Sequence, residues 1–372
     1  MRKVEHMRSG HRINSLALLL AVLGLLVLAA CEGEPDEADE ADEADDVEEE
    51  EVAGDPVSLN LAHYYNESPE AAGEARLAEE VTERSGGDVD IQVQWGEVLG
   101  DATEIPGLVA DGAADMGSVA PHFGADPFPL YQLSTIPFPS TDPATDLERQ
   151  GELQQEVFES DPFVEELEEE HNQKALLHQP LAPYFVTSNI PECGIDAFEG
   201  ERVRSIGEFH PVMLEEIGAT PVTLTTGEMF EGLERGTVDA VTIPLAHMLT
   251  YDLHEVADYI CGPVFYLGNG NTATVNLDTW EDLSGDQQEL ITETAEETQD
   301  WFLDYAIDQE ESYRSELEED LGVEFLDFPQ DELEEWHESA PDFLGDWADE
   351  RSADGYEQID DLHERIRDIT DS

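Results

Sequence analysis

The chain of 372 residues carries 91 Asp and Glu against 15 Lys and Arg, a formal charge of −76 at pH 7, and its only lysines are Lys3 and Lys174. Nucleic-acid binding rests on neutralising phosphates with cations, so this composition excludes nucleic acid as a partner. Residues 52–372 still hold 76 acids and 11 bases, so the imbalance belongs to the folded part. Such a surface suits multimolar salt, where repulsion is screened and carboxylates keep the protein hydrated, and it points to a halophilic source.

Residues 1–31 read as a lipoprotein signal. Arg2, Lys3, Arg8 and Arg12 precede an apolar run from Leu16 to Ala30 that is short for a bilayer span and ends Leu28-Ala29-Ala30-Cys31. Small residues directly before a cysteine mark the cleavage that leaves Cys31 as the lipid-bearing first residue; an ordinary signal peptide needs no cysteine there. The expected location is extracytoplasmic, periplasm or outer membrane face, with the protein lipid-anchored. Residues 32–55 follow as an acidic, disordered tether: Glu32 to Glu51 holds fourteen acids in twenty residues, and nothing apolar offsets the entropy of ordering it.

Residues 56–372 suffice for two domains of ordinary size. VSLNLA, Val57 to Ala62, alternates as a strand and runs into His63-Tyr64-Tyr65-Asn66. A helix is expected from about Pro69 to Arg84, where Ala71, Ala75, Ala78 and Val81 recur three and four apart, and Gly86-Gly87 turns into a strand from Val89 to Trp95. LVADGAADMGS, Leu108 to Ser118, reads as helix end, glycine turn and short strand. The prolines from Pro121 to Pro137 then impose a stiff loop. Leu147 to His171 reads as one acidic amphipathic helix with a solvated face, and strands are expected at Lys174 to Leu177 and Tyr184 to Ser188.

The next stretch, Phe198 to Gly262, organises the rest. A short apolar strand around Arg204 leads into a helix, a second strand at Pro221 to Leu224 into a helix from Gly227 to about Arg235, and a third strand occupies Ala240 to Ile243. Strands alternating with helices describe parallel βαβ units, whose ligands sit beyond the carboxyl ends of the strands. Arg204 stands at such an end, where its planar fork of donors can pair bidentately with a carboxylate; the plainer reading is an ion pair with one of the many neighbouring acids. Beyond it, Thr272 to Trp280 reads TATVNLDTW, a long helix is expected to about residue 320, Val323 to Phe328 as a last strand, and two further helices close the chain.

FEGERVRSIG, IGATPVTL, GEMFEGLERGTVDA and LHEVADY, in that order and at compatible spacings, resemble the DctP-like solute receptors of TRAP (tripartite ATP-independent periplasmic) transporters. LAHYYNESP, LAEEVTERSGGDVDIQV and the Val275-Asn276, Trp280 and Leu283 positions extend the resemblance from about residue 57 to at least residue 290. It implies an α/β, two-lobed periplasmic-binding-protein-like fold, each lobe a mainly parallel sheet flanked by helices, joined by hinge strands and a long helix. Residues 56–183 plus about 267–309 would form lobe I, and 184–266 plus about 310–372 lobe II. Carried over by motif position, Arg204 would clamp the ligand's carboxylate. His63, Tyr64 and Tyr65 would face the cleft from the first strand's end. Tyr184 and Phe185 would lie on a hinge strand, with at least one in the core, and Asn269 and Asn271 at the second crossing. Thr226 and Ile243 would line the pocket, while Glu228 would hold local structure or orient Arg204. Some relatives carry an acidic or polar side chain near Ala120 or Pro121, and sialic-acid-type relatives an asparagine at the position of Ile243; the apolar residues here favour a simpler keto, hydroxy or aromatic acid.

Cys193 and Cys261 remain as an even pair in an oxidising compartment, which favours a disulfide over two free thiols. The sequence contains no HExxH, GxSxG or Walker motif, and His247 and His254, seven apart on an expected helix, lack a third ligand for a metal. The reading is a receptor and not an enzyme, without cofactor. It would capture a mono- or dicarboxylate and deliver it to the small and large membrane subunits of a transporter driven by an ion gradient, with sodium as the coupling ion. A receptor for another importer or a sensor kinase, or an extracellular hydrolase, are the alternatives.

Overall fold

The computed structural model describes residues 54–120, 128–140 and 142–371. The signal segment with Cys31, all but the end of the tether, and the stretch from Pro121 to Pro127 lie outside them. In chain order the strands are β1 (Val57–Ala62), β2 (Val89–Gln94), β3 (Met116–Val119), β4 (Pro137–Pro139), β5 (Gln173–Gln179) and β6 (Tyr184–Ser188). β7 (Arg202–Ser205), β8 (Thr220–Thr223), β9 (Ala240–Ile243), β10 (Tyr259–Leu267), β11 (Asn271–Asn276) and β12 (Glu324–Leu326) follow.

They form two sheets, ordered β2-β1-β3-β11-β5 and β12-β10-β6-β9-β7-β8, with β4 paired to β10. The expected parallel units are there: β1 runs parallel to β2 and β3, and β7 parallel to β8 and β9. Each sheet is nonetheless mixed rather than mainly parallel. β11 pairs antiparallel with β3 and β5, and β6 antiparallel with β9 and β10. These are the strands on either side of the passages between sheets, β5 to β6 and β10 to β11, so the chain enters each sheet against the direction of the local βαβ units. At the second passage Gly270 donates to the Gln179 carbonyl at 3.0 Å, and a Cβ there would lie 2.7 Å from that oxygen, so only glycine lets the two passages lie side by side.

The first sheet's core joins Leu59, Leu61, Ile91 and Val275 to Leu77 and Val81 of the helix Ala72–Arg84 and to Ile291 of the helix Gly285–Ser315. That long helix starts from a capping box, Ser284 with Gln287, which satisfies two otherwise orphaned backbone donors. It continues through a π turn to Asp320 and into β12 of the second sheet, making a further connection between the sheets. The second sheet is covered on both faces. Val186, Val203, Met213 and Trp336 pack on one, and Phe185, Val241, Met248 and Ile260 on the other, which is why all five residues of β6 are buried.

A further core forms between residues 128–167 and the end of the chain, where Phe158 and Phe163 meet Trp347, Leu362 and Ile366. The expected acidic helix is broken here: a π turn follows Leu153, and a new start at Ser160 with Pro162 in the first turn opens the helix Asp161–Glu165. Three helices, not two, close the chain, at Gln330–Ser339, Phe343–Asp354 and Ile359–Thr370. Pro341 ends the first, and Asp342 caps the second by accepting from Gly345 N. Cys193 and Cys261 are disulfide-bonded with Cα atoms 5.5 Å apart, pinning the loop after β6 to β10.

Candidate functional site

A cavity of about 520 Å³ lies between the two sheets. Tyr64, Tyr65 and the loop carrying Asp101 and Thr103 line it on one side; Tyr184, Ile243, Tyr251 and the ends of β7 and β8 line it on the other. It therefore occupies the position at which open α/β sheets bind, beyond the carboxyl ends of parallel strands.

Arg204 is built into that end of the second sheet. On β7 the pleat sends Arg202 and Arg204 to the same face and Val203 to the other, so position along the strand decides their fates. Arg202, at the amino end, is exposed and pairs with Asp239 through Nε and Nη2 at 2.8 and 2.7 Å. Arg204, at the carboxyl end between β8 and β9, is 3% exposed. Its Nε donates to the Leu224 carbonyl at 3.2 Å and its Nη1 to the Thr242 carbonyl at 3.0 Å. No carboxylate lies within ion-pair distance of it among the described residues, so the ion pair with a neighbouring acid is absent there. Burial holds the guanidinium below its ordinary value, with Tyr184, Tyr251 and Tyr65 drawing it partly back; an arginine stays charged regardless. Its neighbours Ser205, Leu224 and Ile243 line the cavity, and Arg204 itself is not among the lining residues. Burial pushes the Tyr184 hydroxyl up to about 12, against the pull of Arg204.

The other wall is organised differently. His63 is 1% exposed and lies behind the cavity. Its Nδ1 accepts from Tyr65 N at 3.0 Å, which leaves Nε2 to carry the proton toward Glu74 Oε1, 3.6 Å away. Glu74 is fully buried and accepts from Ser118 Oγ at 2.7 Å. Burial alone would raise its carboxyl, but His63, Ser118 and Gln179 together bring it below its ordinary value. His63 thus anchors the loop whose next residues, Tyr64 and Tyr65, reach the cavity. Tyr64 also donates to Asn271 Oδ1 at 2.6 Å, tying that loop to the second passage.

The remaining candidates divide. Thr226 and Ile243 line the cavity. Tyr184 faces it, while Phe185, one pleat on, is fully buried among Met229, Val241 and Met248 and does not. Glu228 is exposed and completes a capping box with Thr225, accepting from its N at 3.0 Å and its Oγ1 at 2.9 Å, which makes it a local brace. Asn269 is buried away from the cavity, between Gln154 and Thr272. His247 and His254 do not share a helix, because the helix Leu245–Thr250 ends before Asp252, which adopts a left-handed conformation at φ 53°. His247 and Tyr251 line the cavity and were not expected there. The rule that found Arg204 could have found them, since both follow the carboxyl end of β9.

A family model described as bacterial extracellular solute-binding protein, family 7 (DctP), matches residues 62–348. The chain belongs to that family. Its members are solute-binding receptors and not enzymes. The ectoine-binding periplasmic protein TeaA of Halomonas elongata is 25% identical over 59% of this chain, and the match spans 63% of that protein's length. Among solved structures, a TRAP periplasmic solute-binding protein from Desulfovibrio salexigens superposes with a TM-score of 0.74 at 19% identity, covering 85% of this chain and 96% of its own. A Bordetella pertussis extracytoplasmic solute receptor binding pyroglutamic acid does so with a TM-score of 0.71 at 17% identity, covering 83% and 99%. The two-lobed receptor fold is thereby shared. Among the described residues no helix is long and apolar enough to cross a membrane.

Proposed function

We propose that this protein is the receptor of a TRAP-type transporter for a small organic acid, held between the lobes with its carboxylate on Arg204. The observation that carries this reading is Arg204 itself: a buried guanidinium beside the cavity, braced only by backbone carbonyls, with no protein carboxylate in reach among the described residues. A buried cation that the fold leaves without a counter-charge is costly, and a ligand carboxylate offsets that cost. The ring-rich lining of Tyr64, Tyr65, Tyr184 and Tyr251, with Ile243, suits a flat, compact acid. Pyroglutamic and orotic acids, named with structures of the same fold, are acids of that shape.

Residues 56–183 with about 267–309, and 184–266 with about 310–372, are the lobes whose closure would bring the two walls onto the ligand. Small and large membrane subunits, powered by a sodium gradient, would receive it. Cys31 would carry the lipid that keeps the receptor at the membrane, and mass spectrometry of the mature N-terminus tests that assignment. The acid excess marks a protein of a halophile, whose unfolding midpoint should fall steeply as salt is diluted.

The deciding experiment is thermal unfolding of the protein in multimolar salt against a panel of small carboxylates, repeated with Arg204→Ala and Arg204→Lys. A ligand that binds only the folded state raises the midpoint by mass action. A rise with one class of acid, lost in both variants, supports the reading; a rise indifferent to Arg204, or none with any acid, overturns it.

A further inference from the structure

The last residue of β7 is a second polar side chain that the fold leaves incomplete. Ser205 lines the cavity and is 1% exposed, and its Oγ has no hydrogen-bond partner among the described residues. Buried hydroxyls are nearly always bonded, so an orphan on a cavity wall marks a place that something other than the fold completes. Other hydroxyls of that wall are placed differently: Thr223 and Thr225 are exposed, and Thr225 Oγ1 already donates to Glu228. Ser205 is also held in place. It pairs with Thr223 of β8, and directly after it Ile206 N donates to His210 Nδ1 at 3.3 Å. Burial, joined by the charge of Arg204, lowers His210 to about 3, so the ring stays neutral and keeps accepting from Ile206.

The strand register brings this hydroxyl and the cation to the same level of the sheet. Arg204 pairs with Val222 on β8 and Val241 on β9, yet its guanidinium donates further along both strands, to the carbonyls of Leu224 and Thr242. It has therefore run forward to the level of Ser205, whose own partner on β8 is Thr223. The pleat directs the two side chains to opposite faces, so they approach the strand end from its two sides. We infer that Ser205 is the residue that selects the solute, its hydroxyl bonding an oxygen substituent on the carbon next to the carboxylate held by Arg204. The solute is then a 2-hydroxy or 2-oxo acid. This inference rests on the carboxylate reading of the cleft and names the substrate class within it. A serine hydroxyl both donates and accepts, so it serves either oxygen. A solute lacking that oxygen leaves the hydroxyl buried and unpaired, and a site built to bond an oxygen discriminates strongly against the analogue without it. The neighbouring lining side chains Ile206, Leu224 and Ile243 are apolar and offer no substitute partner.

The test uses matched acids that differ only at that carbon: lactate and pyruvate against propionate, and mandelate and phenylglyoxylate against phenylacetate, titrated calorimetrically into the full-length protein in multimolar salt. The expected result is that at least one oxygen-bearing acid binds about tenfold or more tighter than its parent acid. Ser205→Ala should abolish that difference while the parent acid binds as before, whereas Arg204→Ala should weaken every acid that binds. A second readout needs no ligand. Because the hydroxyl serves no partner in the fold, Ser205→Ala should leave the unfolding midpoint of the ligand-free protein unchanged or raise it. Equal binding of parent and oxygen-bearing acids, or a preference that survives Ser205→Ala, overturns the Ser205 assignment and leaves the Arg204 reading standing. A fall in the ligand-free midpoint overturns it as well, since the hydroxyl would then be a structural group. If none of the acids binds, both readings fall.

Discussion

At the carboxyl end of β1, His63 is buried with Glu74 opposite its Nε2 and Ser118 on the same carboxylate. At the carboxyl end of β7, Arg204 is also buried, yet among the described residues its guanidinium donates only to the carbonyls of Leu224 and Thr242. The two walls of one cleft therefore treat buried polar groups in opposite ways. On the first wall the counter-group comes from the chain itself, 11 residues further on, and the result is a rigid platform for Tyr64 and Tyr65. On the second the described residues supply orientation without a carboxylate, and under the proposed function the counter-charge comes from the ligand. A buried charge that is already paired is a structural element; one that is only braced is a candidate binding group.

That contrast breaks most visibly through Arg204. Truncating one partner of a desolvated charge pair costs about 2–5 kcal/mol, so Arg204→Ala should weaken ligand binding roughly 30- to 1000-fold or more, measured by calorimetric titration with the acid found in the panel. Arg204→Lys keeps the charge and loses the planar fork, and should recover little of it. Glu74→Ala should act on the other quantity. It leaves Ser118 Oγ without its buried acceptor and removes the carboxylate that faces His63 Nε2, so the unfolding free energy should fall by about 3 kcal/mol in a denaturant titration. Ligand affinity should change less than in the Arg204 variants. Equal effects on both quantities in both variants would erase the distinction between the walls.

A smaller effect sharpens it by pH. The folded protein holds Glu310 up to about 8, above the ordinary carboxyl value of 4.5. In that interval the folded state binds more protons than the unfolded one, so this group's contribution makes stability decline as pH rises from about 4.5 to 8. Glu310→Gln should remove that slope, with the variant gaining on the parent as pH increases, as read from unfolding midpoints between pH 5 and 8. The smallest change is expected at Arg202, whose bond to Asp239 lies in solvent. A double-mutant cycle on that pair should return less than about 1 kcal/mol, and Arg202→Ala should leave ligand binding unaltered, although it stands only two residues from Arg204.

What the sequence determined by itself is whatever depends on neighbours along the chain. The alternation of strands and helices, the glycine turns, the strand end that carries Arg204, and the order of motifs shared with the family are all local or periodic signals, and the cysteine pair could be read from count and compartment. The tertiary structure decided the rest, because those features arise from groups distant in sequence. Whether Tyr184 or Phe185 faces the cleft depends on which sheet face the strand pleat turns inward. Whether His63 or Arg204 finds an acid depends on Glu74 and Ser118 converging on one and on β8 and β9 surrounding the other. The antiparallel strands β6 and β11 follow from the chain's passages between sheets, and His247 comes within 3.8 Å of Glu70 although the two lie far apart in the chain. In a chain with 91 acids, no pattern of spacing can mark which few carboxylates will be buried. Burial is a property of the packed fold, and it is burial that turns a common residue into a site.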